Sequence, residues 1–318
     1  MLSRVAENLY WMSRYVERAE NVARLLDVGF FLDLDSVGIE EEGQGPVESI
    51  LTILSCRSAF AKAHGVGNRE EALRFLTFDR QGGHSLLGLI SRARENARGT
   101  QEELSAEAWS QLNQLYLYLS GPRARKRFAA SPSRFFEGIK RACILFDGLI
   151  DSTLPRTECF HYLQLGRHLE RVNQVSRILD AKCRALRVEE PTSEPAMRSV
   201  HWASLLRNCS AYDAYLREYQ DRVDGESVVR YLVLDADFPR AVRFCVARCR
   251  ESLHEIGGGG DDDEYASEAE RRLGRLEGEL RYIDVREIFD RGLSNFLAGV
   301  LDACHRVGDE IHHAYFFT

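Results

Sequence analysis

Lysine is nearly missing from this chain. Only Lys62, Lys126, Lys140 and Lys182 occur among 42 basic residues, and the rest are arginine. Arginine suits interfacial ion pairs and bidentate contacts to carboxylate or phosphate better than lysine does, although a GC-rich genome would give the same bias. Proline is also scarce. The seven prolines (Pro46, Pro122, Pro132, Pro155, Pro191, Pro195 and Pro239) fall near predicted helix boundaries, where a missing N–H does least harm. No apolar run approaches the ~18 residues of a membrane span. The N-terminus enters an amphipathic pattern directly, with Arg4, Glu7, Arg14 and Glu17, so no signal peptide is expected. There is no strand or hairpin signal. A basic balance is absent too: the net charge is −7, which points away from nucleic acid.

Eight cysteines are present, but no CxxC pair and no Cys/His array with zinc spacing. The closest two, Cys245 and Cys249, are one helical turn apart. The expectation is reduced, buried thiols in a cytoplasmic protein. The four glycines at 257–260 lack the Lys-Ser/Thr that would follow in a phosphate loop. With the acidic residues after them they read as a mobile linking loop. No cofactor motif is evident.

What the chain does have is a repeat. YWMSRYVERAENVARLLDV at 10–28 returns as LQLGRHLERVNQVSRILDA at 163–181. Arg14, Glu17, Arg18, Arg24 and Asp27 align with Arg167, Glu170, Arg171, Arg177 and Asp180. Ser58-Ala59-Phe60 aligns with Ser210-Ala211-Tyr212, and the segment 75–79 with 231–235. Arg92, Arg94 and Glu95 fall on Arg248, Arg250 and Glu251. Matches in one order at nearly one spacing predict two helical repeats, 1–153 and 154–318. The expected fold class is all-α: a helical bundle of two pseudo-symmetric repeats forming one compact unit.

Helical period runs through most of the chain. Helices are expected at about 3–33, 47–63, 68–78, 84–99, 105–120, 132–153, 156–187, 196–221, 225–234, 239–256, 264–280 and 285–314, with Ser3 capping the first. Residues 36–46 read as a loop.

On a helical wheel Met12, Tyr15, Val16, Ala19, Val22, Ala23 and Leu26 form one stripe. Arg14, Glu17, Asn21 and Arg24 form a second, with Arg18 at its edge; Arg167, Glu170, Gln174, Arg177 and Arg171 repeat it. Leu25 sits inside the charged stripe and Ile178 repeats it, so the charged face is expected to pack rather than face water. Arg92 with Glu95 and Arg248 with Glu251 give the same Arg-x-x-Glu form on two further helices. Three readings compete. Local pairing is one, though it favours the acid first. An interhelical ion network is another. The third is an anion site, in which the arginines clamp a carboxylate or phosphate and Glu17 and Glu170 orient substrate or move protons.

The residues MLSRVAENLYWMSRYVERAENVARLLDV, LGRHLER and SRARENAR resemble the bacterial alpha-E domain family, all-helical and named for a Glu/Arg motif. That motif carries onto Glu17-Arg18 and Glu170-Arg171. The resemblance implies company: members are encoded beside, or fused to, ATP-grasp and transglutaminase-like proteins, in systems that make or process amide bonds. On that basis two functions stand. One is a component of such a pathway that binds an acidic small molecule or peptide at the Arg/Glu cluster. The other is a non-enzymatic helical adaptor that docks a partner enzyme, its Arg/Glu stripes purely structural. Glu17 and Glu170 are the candidate catalytic residues. Arg14, Arg18, Arg24, Arg167, Arg171, Arg177, Arg92, Glu95, Arg248 and Glu251 are the candidate ligand-binding residues. No metal is expected: His305, Asp309 and His313 share a face of the last helix, but nothing repeats them, and a solvated face explains them. The motif helices are expected to face one another across a pseudo-twofold axis.

Overall fold

The computed structural model describes residues 1–35, 46–65, 67–80, 82–185, 195–220, 223–258 and 265–316. These residues are helical and hold no strand. The first eight helices are α1 (Ser3–Asp35), α2 (Pro46–Ile53), α3 (Arg57–His64), α4 (Arg69–Phe78), α5 (Leu86–Arg98), α6 (Ala106–Ser120), α7 (Pro122–Ala130) and α8 (Pro132–Thr153). The next eight are α9 (Glu158–Ala185), α10 (Pro195–Asn208), α11 (Tyr212–Tyr219), α12 (Gly225–Val229), α13 (Val242–Ile256), α14 (Glu268–Tyr282), α15 (Val285–Asp290) and α16 (Leu293–Ile311). Short π-helical turns continue α12 over Arg230–Leu234 and α16 over His312–Phe316. The two loops expected at 36–46 and 257–264 fall mostly outside the described residues.

Local chemistry fixes most helix starts. Asn68 and Glu71 form a reciprocal capping box on α4, and Ser85, Ser105, Asp224 and Ser267 cap their helices by side-chain oxygen. Pro122 and Pro132 open α7 and α8 at the first turn. The first helix begins at Ser3 itself, and the Leu2 carbonyl accepts from the Ala6 N–H at 3.1 Å.

Three expected helices are broken. The 47–63 pattern divides at Ser55 and the 196–221 pattern at Ser210, both left-handed, with φ of 53° and 54°. The Ser55 N–H donates to the Thr52 carbonyl and the Cys56 N–H to the Leu51 carbonyl. The Ser210 N–H donates to Arg207 and the Ala211 N–H to Leu206 in the same way. This is a Schellman ending, in which glycine is the usual left-handed residue. Serine in its place hid both breaks. The 285–314 pattern divides at Gly292, φ 82°. The sequence reading also left 121–131 without a helix, because only Ala124 and Phe128 give α7 an apolar face.

The described residues group into two compact units, 11–155 and 1–10 with 156–318. In the first, α5 packs on α4 and α6, and α8 on α6 and α7. Phe78, Phe128, Phe135 and Phe136 meet there with ring centroids 5.4–6.0 Å apart. In the second, α9 packs on α13 and α16, with α14 against both. Tyr10 meets Phe316 at 5.5 Å. All eight cysteines are free thiols and all but Cys159 are buried, as expected.

A left-handed backbone costs an ordinary L-residue ~1–2 kcal/mol and glycine almost nothing. Ser55→Gly and Ser210→Gly are therefore expected to raise the urea-unfolding free energy by up to about 1 kcal/mol. Ser55→Val and Ser210→Val are expected to lower it. A glycine variant less stable than wild type counts against these endings.

Candidate functional site

In the unit 11–155 the polar stripe of α1 lies in the interior. Glu17 is 1% exposed and Glu20 2% exposed. The Asn21 side-chain amide donates to the Glu17 carbonyl at 2.9 Å and to its Oε1 at 3.2 Å. Glu20 pairs with Arg24 one turn later, in the acid-first order that favours a local pair. Asp27 accepts from Lys140 Nζ of α8 at 2.7 Å, and Lys140 also meets Glu137 at 2.7 Å. Leu25 is buried, which agrees with a packed charged face. Arg14 is half-buried with its guanidinium 4.8 Å from the Trp11 ring centre, and Trp11 stacks on Tyr15. Arg18 is half-buried and engaged by its surroundings. Burial, then the carboxylates of Glu20, Asp147 and Glu17, push the Cys143 thiol well above its ordinary range. Cys143 is thus an inert thiol and no nucleophile.

In the unit containing 156–318 the α9 stripe is buried too. Glu170 is fully buried and accepts from the Gln174 side-chain amide at 2.8 Å, the counterpart of Asn21 on Glu17. Ile178 is buried like Leu25. Arg167 is 8% exposed and donates to Gln164. Arg171 Nη1 donates to the Pro239 carbonyl at 3.4 Å. Arg177 is half-buried and engaged. His168 lies between Arg167 and Arg171 in sequence, is 5% exposed and sits 6.0 Å from the Phe244 ring of α13. Arg248 stands over that same ring at 5.3 Å. Burial, then the charges of Arg171, Arg167 and Arg248, hold the His168 pKa well below 6.5. The imidazole is neutral within a group of three guanidiniums. Its Nδ1 has no hydrogen-bond partner among the described residues.

The second pair of motifs behaves differently. Arg92, Glu95, Arg248 and Glu251 are exposed. Glu95 pairs with Arg94 at 2.7 Å and Arg98 at 2.9 Å. Arg92 instead reaches the Tyr15 ring at 6.0 Å. Arg248 and Glu251 form a local pair at 2.5 Å despite the basic-first order, and Arg250 meets Glu277 of α14 at 2.5 Å. Exposed pairs of this kind contribute ~0–1 kcal/mol. Arg94 is held more firmly: it donates to Asn113 of α6 at 2.9 Å and lies 4.8 Å from the Tyr116 ring centre. Sequence reasoning passed over Glu20, Lys140 and His168 as members of the polar interior. Only the acid-first spacing of Glu20 to Arg24 offered a signal. His305, Asp309 and His313 are exposed. Among the described residues no group of three or more His, Cys, Asp or Glu is placed to hold a metal ion, and no helix is long and apolar enough to cross a membrane.

These features define a helical domain whose two longest helices bury the glutamate of a Glu-Arg motif. The chain belongs to the Alpha-E family, described as a predicted alpha-helical domain with a conserved ER motif, whose profile matches residues 1–316. Uncharacterized protein Mb2597 of Mycobacterium bovis is 24% identical over 324 residues, which is 95% of this chain and 35% of that protein. Uncharacterized protein Rv2567 of Mycobacterium tuberculosis is 23% identical over the same shares. The chain thus spans about a third of the length of the curated relatives it matches. No solved structure matches it.

Lys140→Met leaves the Asp27 carboxylate buried without its cation and is expected to destabilise by ~3 kcal/mol in urea unfolding. Asp27→Asn with Lys140→Met is expected to recover much of that loss; a neutral single variant argues against the pair. His168 gives a pH signature. Unfolded histidine protonates near 6.5 while folded His168 stays neutral. The unfolded state therefore binds more protons, and stability is lost as pH falls below 6.5. In His168→Gln that component is absent. The stability gap between variant and wild type is expected to change by up to about 1.4 kcal/mol per pH unit between 6.5 and 5. Parallel pH curves would refute a neutral buried His168.

Proposed function

We propose that the protein binds an acidic small molecule or peptide at the arginines around His168, as a cytoplasmic component of a pathway that forms or modifies amide or peptide bonds. The observation that carries this reading is a buried imidazole flanked in sequence by Arg167 and Arg171 and packed 6.0 Å from the Phe244 ring, over which Arg248 stands at 5.3 Å. A carboxylate or phosphate bound there accepts bidentate hydrogen bonds from these guanidiniums. A neutral imidazole adds a group able to donate or accept. Glu170, anchored by the Gln174 amide one turn away, orients the arginines of its own unit or moves a proton, and Glu17 with Asn21 does the same for those of α1. Arg14, Arg18, Arg24 and Arg177 complete the charged stripes. The pathway assignment, with an ATP-grasp or transglutaminase-like partner, rests on the company kept by the family. Eight unpaired thiols fit a reducing compartment.

We also propose that the halves 1–153 and 154–318 descend from one duplicated unit. Eight helices in each half, matched left-handed serines at 55 and 210, and matched amides on Glu17 and Glu170 support it.

The test uses L-glutamate, a γ-glutamyl dipeptide and inorganic phosphate as calorimetric probes of the purified chain. Arg167→Gln with Arg171→Gln is expected to weaken the best of them by about tenfold or more (≥ ~1.4 kcal/mol) at an unchanged unfolding midpoint. Equal binding by wild type and variant, or none by either, refutes the site. Glu17→Gln and Glu170→Gln are expected to lose pathway product in cells while remaining folded. Loss of folding alone assigns the stripes to structure and favours the adaptor reading.

A further inference from the structure

From Ala108 through Phe136 the sequence holds no Asp or Glu, in a chain with 49 acidic residues. Within that stretch lie α7 and the start of α8. Arg123, Arg125, Lys126, Arg127 and Arg134 are all exposed. None of them has an ion-pair partner among the described residues. Several exposed arginines elsewhere are matched by an acid one turn away: Arg74 with Glu70, Arg141 with Glu137, Arg184 with Asp180, Arg306 with Asp302. The contrast is local, because acids outnumber bases in the chain as a whole. Nor does helix order impose it. The seventh helix of the second half, α15, is preceded by Asp284 and carries Glu287 and Asp290, and Arg291 beyond it pairs with Glu279 and Glu287.

The basic helix is also firmly seated. Phe128 packs edge-on against Phe78, Phe135 and Phe136 at 5.4–5.9 Å, and Ala124 one turn earlier is fully buried. Arg125 lies 4.7 Å from the Phe78 ring centre. Four basic side chains therefore project from a nine-residue helix whose inner face is fixed, with Arg134 just beyond. With the backbone already fixed, only side-chain freedom is lost on binding, which favours affinity.

We propose that the exposed face of α7, with Arg134, is a docking surface for a short acidic segment of a protein partner. Three arguments select that occupant. The helix is about 13 Å long at 1.5 Å per residue, enough for a few carboxylates. A nucleic acid or an anionic bilayer runs tens of ångströms further, over a chain whose net charge is −7 and within a Debye length of ~8 Å at physiological salt. A short peptide avoids that repulsion. Arginine supplies four of the five cations, and its planar fork pairs with carboxylates two bonds at a time. Finally, the mycobacterial relatives carry this region as 35% of a longer polypeptide, so in them it works in the company of further protein. The proposal is independent of ligand binding near His168, and each can fail alone.

The experiment titrates the full chain, at ~0.15 M salt, into a fluorescein-labelled peptide containing four glutamates in six residues. A glutamine version, a single-stranded DNA twelve-mer and phosphatidylglycerol vesicles serve as comparators. The charge-reversed chain is Arg123→Glu/Lys126→Glu/Arg127→Glu, which leaves Phe128 and Arg125 in place. The glutamate peptide is expected to bind, the glutamine peptide not. Charge reversal is expected to weaken binding about tenfold or more without moving the unfolding midpoint, since exposed substitutions shift stability by ~0.5 kcal/mol or less. Should reversal unfold the chain, Arg123→Gln/Lys126→Gln/Arg127→Gln takes its place. No peptide binding, binding indifferent to charge at α7, or tighter capture of DNA or vesicles than of the glutamate peptide each overturns the proposal.

Discussion

Two carboxylates inside helices set the terms for this protein. Glu17 and Glu170 are essentially without solvent contact, and an isolated buried carboxylate costs several kcal/mol unless it is hydrogen-bonded or paired. In both helices part of the answer is an amide one turn later, Asn21 or Gln174. A spacing of four residues puts donor and acceptor on one face with no help from the rest of the fold. Everything laid over that face must then tolerate it, and the arginines, the buried Leu25 and Ile178, and the Asp27–Lys140 pair are all arranged around this requirement.

The arginines divide by burial, and burial decides what each can do. Arg167 and Arg24 belong to the interior, where leaving a charge unmatched is expensive and a local partner, Gln164 or Glu20, is provided. Arg248, Glu251, Arg92 and Glu95 are exposed and contribute little to stability whatever they touch. The Arg-x-x-Glu form is therefore one pattern with two meanings. On α1 and α9 it marks a packed polar interior. On α5 and α13 it marks a solvated face that is cheap to vary.

The all-α class, the free thiols and the packed charged face were legible in the sequence, because each follows from composition or period: a leucine and an isoleucine within a charged stripe leave few other readings. Prolines marked several helix boundaries, but the break at Gly292 went unread within a continuous periodic pattern. Ser55 and Ser210 occupy left-handed positions with no side-chain signal, so two continuous periodic patterns concealed two breaks. Lys140 was illegible as the partner of Asp27 because the pair spans 113 residues, and no local rule reaches that far. Helix α7 failed for the opposite reason, since a short helix with two inward residues has almost no period to detect. His168 looked like one of several scattered histidines until the packing of α9 on α13 brought Arg248 beside it.

The position of His168 also shows where the two halves part. In the aligned repeat its counterpart is Tyr15, and the counterpart of Arg248 is Arg92. Arg92 lies over the Tyr15 ring, while Arg248 stands over the Phe244 ring beside which His168 packs. The fifth helix of each half therefore carries an arginine toward the aromatic position on the first. In the half-buried Tyr15 the result is a cation–π contact that needs no ligand to satisfy it. The buried His168 ring stays neutral, while Arg248 itself is exposed and paired with Glu251. One geometry thus yields a cation–π contact in one half and a neutral imidazole among arginines in the other. If only one of the two acquired a ligand, the physical chemistry selects the half with the histidine.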